Sequence, residues 1–196
     1  MDNKLRTQDL ITIGIFSAIY IIAYIVLAGV LFTPVLLMFM MPLGALLMGP
    51  VYMLYIARIQ KVGAIAIMGF LTALIIGFIF QAGNILIAFV IFGFGLLTEL
   101  AAYLGRYKSL RWNVLSYCLM SLWVIGVIGP FWVAGDWIRE LTITSGYPAE
   151  YADGVISLAT PLNLGLIIVG TLIGALVSSM VANRMLKKHF VRAGIA

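Results

Sequence analysis

Polar residues that could contact a small molecule are sparse in this chain, and several gather near the ends of long apolar runs. Five of them carry hydroxyl, amide or indole groups: Tyr24, Gln81, Asn84, Trp132 and Asn163. A few such groups set in mostly apolar walls are what a small-molecule pocket uses to orient its ligand. Asn and Gln near helix ends also serve as ordinary caps and turn residues. The group therefore has two interpretations, a substrate-binding pocket or local capping.

Groups suited to catalysis are in short supply. Cys118 is the single cysteine and His189 the single histidine, so the chain lacks a disulfide framework, a His-rich metal site and a Ser/His/Asp triad. A phosphate-binding P-loop motif does not occur, which excludes ATP hydrolysis by that machinery. We therefore predict that the chain is not an enzyme and uses no metal or other cofactor.

Glu99 follows a long uncharged run, and Tyr103 and Arg106 come one and two helical turns later. Its carboxylate could pair with a basic residue of the next loop, contact a cytoplasmic partner, or take part in a proton relay. A relay or an acid–base mechanism needs a second positioned group, which the surrounding run does not supply. The relay is therefore the least favoured of the three interpretations.

The composition shows which elements must position these residues. The chain has 196 residues, of which 64% are hydrophobic and 10% are charged, and its mean hydropathy is +1.15. Soluble domains average roughly 45–50% apolar and about 25% charged residues. So few charges cannot cover the surface of a soluble fold, so we predict a single integral membrane domain over residues 1–196, surrounded by lipid.

Charged residues and turn signals divide the chain into six apolar segments. A helix needs about 20 apolar residues to cross the hydrocarbon layer, and a chain in lipid must satisfy its backbone groups internally. We predict an all-α bundle of six transmembrane helices at roughly 9–32, 34–57, 62–80, 84–105, 112–135 and 161–185. Thr33-Pro34 marks one boundary, since Thr caps a helix and Pro suits its first position. The first segment is too long for a cleaved signal peptide.

The basic residues predict the orientation. Alternating the six segments places 11 of the 12 Lys and Arg residues on the side of both termini, and only Arg139 on the other. By the positive-inside rule, both termini are cytoplasmic in a prokaryotic plasma membrane. The net charge of +5 is then a consequence of topology, and nucleic acid is not an expected partner.

The outer side contains one long loop, at 136–160 between the fifth and sixth helices. It is acidic, and Trp137, Tyr147 and Tyr151 lie within it. Such aromatic residues are common at the membrane interface, but the length of the loop also suits a lid over a site open to the outside.

Small residues recur every four positions in three of the predicted helices, which lets helices approach closely. In the third and sixth helices the pattern (Gly69, Ala73 and Gly77; Gly170, Gly174, Ser178 and Ala182) predicts packing inside the bundle. In the first helix, Gly14 and Ala18 could equally contact a partner subunit.

Three stretches carry a family resemblance: Lys4 to Tyr20 (KLRTQDLITIGIFSAIY), Pro34, and Gly49 to Met53 (GPVYM). They resemble the Trep_Strep family, also called the MptD family, of S components of energy-coupling factor (ECF) transporters. The length, the six predicted spans and the cytoplasmic termini agree with that family over nearly the whole chain.

The resemblance implies a substrate-binding membrane subunit of an ECF-type ABC importer for a vitamin or related micronutrient. Such a subunit binds its substrate near the outer face and docks through helix 1 on a transmembrane coupling protein (T component), which two ATPase subunits power. The usual docking motif is Ala-x-x-x-Ala, and Gly14-x-x-x-Ala18 matches it with Gly in the first position. The alternative is a self-contained small-molecule facilitator or channel, which would need a continuous polar path across the bundle.

Overall fold

The computed structural model describes residues 4–31, 33–79 and 84–186, and every regular element in these ranges is helical. Within these ranges, five segments are long and apolar enough to cross a membrane: Thr7–Val30, Met40–Arg58, Ile85–Leu104, Leu110–Ile128 and Pro161–Met185. A sixth apolar segment, Ala64–Ile79, is shorter and corresponds to the predicted third helix. The predicted all-helical membrane fold is thus confirmed, with five segments of spanning length where six were expected.

Numbered along the chain, the α-helices are α1 (Thr7–Val30), α2 (Pro34–Leu37), α3 (Met40–Arg58), α4 (Ala64–Thr72), α5 (Ile85–Leu104), α6 (Leu110–Ser121), α7 (Ile125–Ile128), α8 (Pro130–Val133), α9 (Gly135–Thr144), α10 (Ala149–Ser157) and α11 (Pro161–Met185). Residues Ala73–Ile79 continue α4 as a π-helix, and Leu122–Val124 form a 3₁₀ turn. We call the end where α1 begins and α3 ends the basic end, and the opposite end, which carries α9 and α10, the hairpin end.

The structure divides two of the predicted helices. The segment 34–57 is interrupted after α2, and 112–135 is interrupted by the 3₁₀ turn and again before Pro130, which starts α8 because proline cannot continue the helical hydrogen bonds. The predicted cap at Thr33 is present: its hydroxyl accepts a hydrogen bond from the Leu36 N–H at 3.4 Å. The segment 136–160, expected as a loop, instead consists largely of two short helices.

The small residues of α4 and the π-helix pack against α5. A Cβ added at Gly69 would lie 2.7 Å from the Gly95 Cα atom, and one at Gly77 would lie 2.7 Å from the Ala88 Cα atom. The backbones therefore touch at both positions, as predicted for internal packing of this four-residue pattern.

A proline inside α3 accounts for one hydrogen bond between this helix and α11. Pro50 has no N–H, so it cannot bond to the carbonyl of Leu46 one turn earlier. The Ser178 hydroxyl on α11 donates to that carbonyl at 2.5 Å. Gly49 makes room, because a Cβ there would lie 2.1 Å from the Ser178 Oγ atom. A backbone acceptor freed within lipid is thus satisfied by the neighbouring helix.

This arrangement predicts an asymmetric response of two glycines to alanine. Gly49→Ala should destabilise the protein by about 1–3 kcal/mol, because the new methyl group overlaps Ser178. Gly165→Ala on α11 is the matched control, since a Cβ there meets nothing within 4 Å and alanine favours a helix. Thermal unfolding in detergent measures both, and equal midpoints for the two variants would contradict the close approach. Ser178→Ala should cost about 0.6–1.7 kcal/mol.

Candidate functional site

The helices α9 and α10 form a hairpin at the outer side predicted from the sequence. The Arg139 Nε donates to Asp153 Oδ1 at 2.6 Å, and a second guanidinium nitrogen lies 3.3 Å from the other carboxylate oxygen. The Tyr147 and Tyr151 rings stack with centroids 5.5 Å apart. Hydrogen bonding to Arg139 lowers the pKa of the exposed Asp153 carboxyl, so this tie is present at neutral pH and is lost as the pH falls through that lowered pKa.

The hairpin packs on the bundle. Ala152 and Val155 of α10 are buried, and a Cβ added at Gly154 would lie 3.2 Å from Cγ and 3.5 Å from Cβ of Pro34. The apolar face of α10 therefore covers α2, the short helix that follows α1. This geometry fits a cover at the end of the bundle.

Two of the predicted binding residues hold the turn that connects α10 to α11. The Trp132 indole N–H donates to the Thr160 carbonyl at 2.8 Å, and the Asn163 side-chain amide donates to the Leu158 carbonyl at 2.8 Å. Both side chains thus fix the position at which the hairpin returns to the bundle.

Asn84 is the N-cap of α5. Its side-chain oxygen accepts hydrogen bonds from the N–H groups of Leu86 at 3.1 Å and Ile87 at 3.3 Å. Asn84 also lines a cavity of about 510 Å³, together with Pro130 and Trp137. That volume lies in the range of small-molecule pockets.

Tyr24 lies in the buried interior, where its ring centroid is 5.0 Å from those of both Tyr20 and Trp123. Gly44 of α3 permits this position, because a Cβ there would lie 2.5 Å from the Tyr24 ring. The Tyr24 hydroxyl has no hydrogen-bond partner among the described residues.

The described members of the predicted group do not share one cavity. Tyr24, Asn84 and Asn163 line three separate cavities, and Gln81 lies outside the described residues. The sequence-based interpretation as local capping is confirmed for Asn84. Substrate binding by the group stays a prediction.

The structure shows a polar network in the bundle interior that the sequence analysis did not identify. The Tyr52 and Ser116 hydroxyls are 2.5 Å apart, and Ser116 donates to the Thr98 carbonyl at 3.0 Å. The Tyr117 hydroxyl donates to the Ala45 carbonyl at 2.5 Å. These residues lie in the middle of apolar runs rather than at their ends, and the tyrosines within those runs are the signal that the sequence offers.

Trp123 and Tyr20 form a second buried polar pair, in the 3₁₀ turn that follows α6 and in α1. The Trp123 indole N–H donates to the Tyr20 hydroxyl at 3.1 Å, and both side chains are almost completely buried. The Tyr52 and Tyr117 contacts thus link α3, α5 and α6, and the Trp123–Tyr20 pair links α1 to the 3₁₀ turn after α6, through groups that would be costly to leave unpaired in an apolar interior.

Glu99 accepts four hydrogen bonds at the basic end. Its carboxylate receives the backbone N–H groups of Gly63 at 3.1 Å, Ile65 at 2.9 Å and Ala66 at 3.0 Å, and the Tyr107 hydroxyl donates to it as well. The carboxylate therefore caps the N-terminus of α4, where unpaired N–H groups and the helix dipole favour a negative charge. Among the described residues, no Lys or Arg forms an ion pair with Glu99, so the expected pairing with a basic loop residue is wrong.

The turn after α5 positions Tyr107 for this bond. The Tyr107 N–H bonds to the Ala102 carbonyl and the Arg106 N–H to the Tyr103 carbonyl, the hydrogen-bond pattern of a Schellman motif. Arg106 and Tyr107 have φ angles of 52° and 57°, which non-glycine residues rarely adopt. Burial and the Glu99 carboxylate both raise the pKa of Tyr107, so its hydroxyl stays protonated and able to donate.

The small residues of α1 differ from those of α4 and α11. Gly14 and Ala18 are exposed, and a Cβ added at Gly14 would meet nothing within 4 Å. By contrast, Gly174 of α11 packs against α3, with an added Cβ 2.9 Å from the Pro42 carbonyl oxygen. The Gly14–Ala18 face is therefore free of contacts with the rest of the described chain.

Comparison with protein families supplies the remaining observation. Residues 7–192 match the family described as "Hypothetical bacterial integral membrane protein (Trep_Strep)". The chain belongs to the Trep_Strep family. Membership and the apolar helices together indicate a multi-pass protein of the bacterial cell membrane. Comparison with curated proteins and with solved structures finds no significant match.

The Glu99 cap of this Trep_Strep protein predicts a large effect of a single substitution. Glu99→Ala should lower the free energy of unfolding by about 3 kcal/mol or more, because buried N–H donors lose their acceptor. Glu99→Gln keeps one acceptor oxygen, so its free energy of unfolding should lie between those of Glu99→Ala and the wild type. Thermal unfolding and amide exchange at residues 63–66 measure the effect.

Glu150→Gln is the control for charge, since Glu150 is exposed in the hairpin. It should leave both measurements unchanged. Unchanged exchange at residues 63–66 in Glu99→Ala would rule out the capping role.

Proposed function

We propose that this chain is the substrate-binding subunit of an ECF-type importer, with a vitamin or related micronutrient as substrate. One observation carries the proposal: the small-residue face of α1 is open, whereas those of α4 and α11 are packed inside the bundle. An open Gly14–Ala18 face at helix-packing spacing suits contact with another transmembrane helix. Because the N-terminal sequence resembles S components, we propose that this partner is the T component, which two ATPase subunits energise.

The proposed orientation has six spans, with α4 and its π-helix as the third, and both termini in the cytoplasm. This orientation follows from the basic residues and puts the hairpin on the outer side. A substrate would then meet the hairpin end first. The acidic hairpin favours a neutral or cationic substrate through long-range attraction.

We propose that the substrate binds at the hairpin end. The cavity lined by Asn84 and Trp137 has mostly apolar walls and a volume of about 510 Å³. Its side-chain amide and indole groups could orient a ligand. The α9–α10 hairpin, whose first helix carries Trp137, would act as the cover. Tyr24, Gln81, Trp132 and Asn163 remain proposed contributors to binding, directly or through the turn at 158–160.

The docking role predicts which subunits co-purify. Gly14→Leu and Ala18→Leu should each greatly reduce recovery of the coupling protein and the ATPases with this chain, because a large side chain prevents close helix contact. Gly165→Leu is the matched control, since Gly165 is also open on a long apolar helix. Co-purification is measured by affinity capture from membranes in which all four subunits are expressed.

Undiminished recovery in both α1 variants would eliminate this face as the docking surface. Substrate flux into liposomes that contain this chain alone would instead favour the facilitator or channel.

The cover role predicts that a cross-link across the hairpin slows ligand exchange. An added Cβ at Gly154 lies 3.5 Å from the Pro34 Cβ, which matches the Cβ–Cβ distance of a disulfide. Pro34→Cys with Gly154→Cys should therefore cross-link under oxidation and retain pre-bound ligand. The ligand is first identified by metabolite extraction from the purified protein, and its release is then followed by mass spectrometry with and without reductant.

The Pro34→Cys single variant is the control, and it should release ligand at the same rate in both conditions. The native Cys118 is buried and remote in sequence from the pair. If the oxidised double variant releases ligand as fast as the reduced one, the hairpin does not cover the exit.

A further inference from the structure

A cavity of about 400 Å³ opens at the basic end, between the α3–α4 connection and the end of α5. It differs from the apolar cavities of the bundle because polar and charged side chains form much of its wall. Its lining consists of Gln60, Val62, Tyr103, Leu104, Arg106, Tyr107 and Lys108. We call it the basic groove.

The backbone of the basic groove is held in place from both sides. The Schellman hydrogen bonds fix Arg106 in its left-handed conformation, and Glu99 joins Tyr107 to the start of α4. On the opposite wall, the Lys61 ammonium bonds to Asp9 at 2.5 Å and to the Lys4 carbonyl at 3.0 Å. The two positive groups, Arg106 and Lys108, are therefore presented on a fixed frame.

Both positive charges in the groove lack a counter-charge from the residues that the structure describes. Arg106 and Lys108 are exposed, and neither forms an ion pair with a carboxylate in the described part of the chain. The Glu99 carboxylate is occupied by its four donors. The groove thus offers a guanidinium, an ammonium and the Gln60 amide to an anion, beside the exposed ring of Tyr103.

An apolar track leads from the groove along α5. Leu104, Leu100 and Leu97 follow one another at helical spacing, and each is about half exposed. Gly93 continues the same face, and a Cβ there would meet nothing within 4 Å. An acyl chain that runs along this face would place its headgroup at Arg106 and Lys108.

We propose that the basic groove binds the phosphate headgroup of an anionic phospholipid, with an acyl chain along the Leu104–Leu97 face of α5. Basic pockets at helix ends are suited to anionic headgroups, and interfacial tyrosine lies at headgroup depth. A soluble phosphate compound would not use the apolar track, and an acidic protein segment would not need it. This site is independent of the proposed transport role.

The test compares lipid retention by native mass spectrometry. The full-length protein in neutral detergent is mixed with equal amounts of phosphatidylglycerol and phosphatidylcholine, and we expect preferential retention of phosphatidylglycerol. Arg106→Asn with Lys108→Gln removes both charges, and Asn tolerates the left-handed backbone. Each charge near an anionic headgroup contributes about five-fold to binding, so the double variant should retain about 25-fold less phosphatidylglycerol than the wild type. Lys108→Gln alone leaves the turn intact and should lower the retention about five-fold.

Arg58→Gln with Arg184→Gln is the matched control, because both residues are exposed at the same end but outside the groove. It should retain phosphatidylglycerol almost as the wild type does. Equal loss in the two double variants would overturn the groove as a specific site, and so would unchanged retention in Arg106→Asn with Lys108→Gln. Displacement of the lipid by millimolar inorganic phosphate would also overturn the assignment.

Discussion

Three backbone N–H groups at the start of α4 lie at the edge of an apolar bundle, and a single carboxylate from another helix accepts them all. Gly63, Ile65 and Ala66 donate to Glu99, which α5 contributes. A helix end in such surroundings must find an acceptor within the protein, because lipid offers none. This one interaction joins the start of α4 to α5 and to the turn at Arg106 and Tyr107, at the basic end of the bundle.

The same requirement acts at a break in the helical hydrogen bonding of α3. Pro50 frees the Leu46 carbonyl, and Ser178 satisfies it from α11. Tyr117 reaches the Ala45 carbonyl, and Ser116 reaches the Thr98 carbonyl. Hydroxyl groups of one helix thus repeatedly bond to the backbone of another. The bundle is held by specific polar contacts as well as by packing, since burial from water contributes little between helices in lipid.

The sequence predicted the helical membrane fold and most segment positions, because composition and charge spacing respond directly to lipid. It also predicted internal packing at Gly69 and Gly77, since small residues at four-residue spacing let helices approach closely. It could not predict that Glu99 caps α4, because that contact joins positions 36 residues apart. It missed the Tyr52–Ser116 network for the same reason: a tyrosine within an apolar run gives no sign of its partner. The sequence predicts a loop at 136–160 because the helices of the hairpin are short and polar on one side.

Gly49, Pro50 and Ser178 restrict which substitutions this sequence can accept during evolution. As long as Pro50 leaves the Leu46 carbonyl without its helical donor, a larger residue at position 49 displaces Ser178, and removal of the Ser178 hydroxyl leaves that carbonyl unpaired. Each of these two exchanges therefore gives a less stable protein. We expect positions 49 and 178 to change together where position 50 is proline, although one lies on α3 and the other on α11, about 130 residues away in the chain.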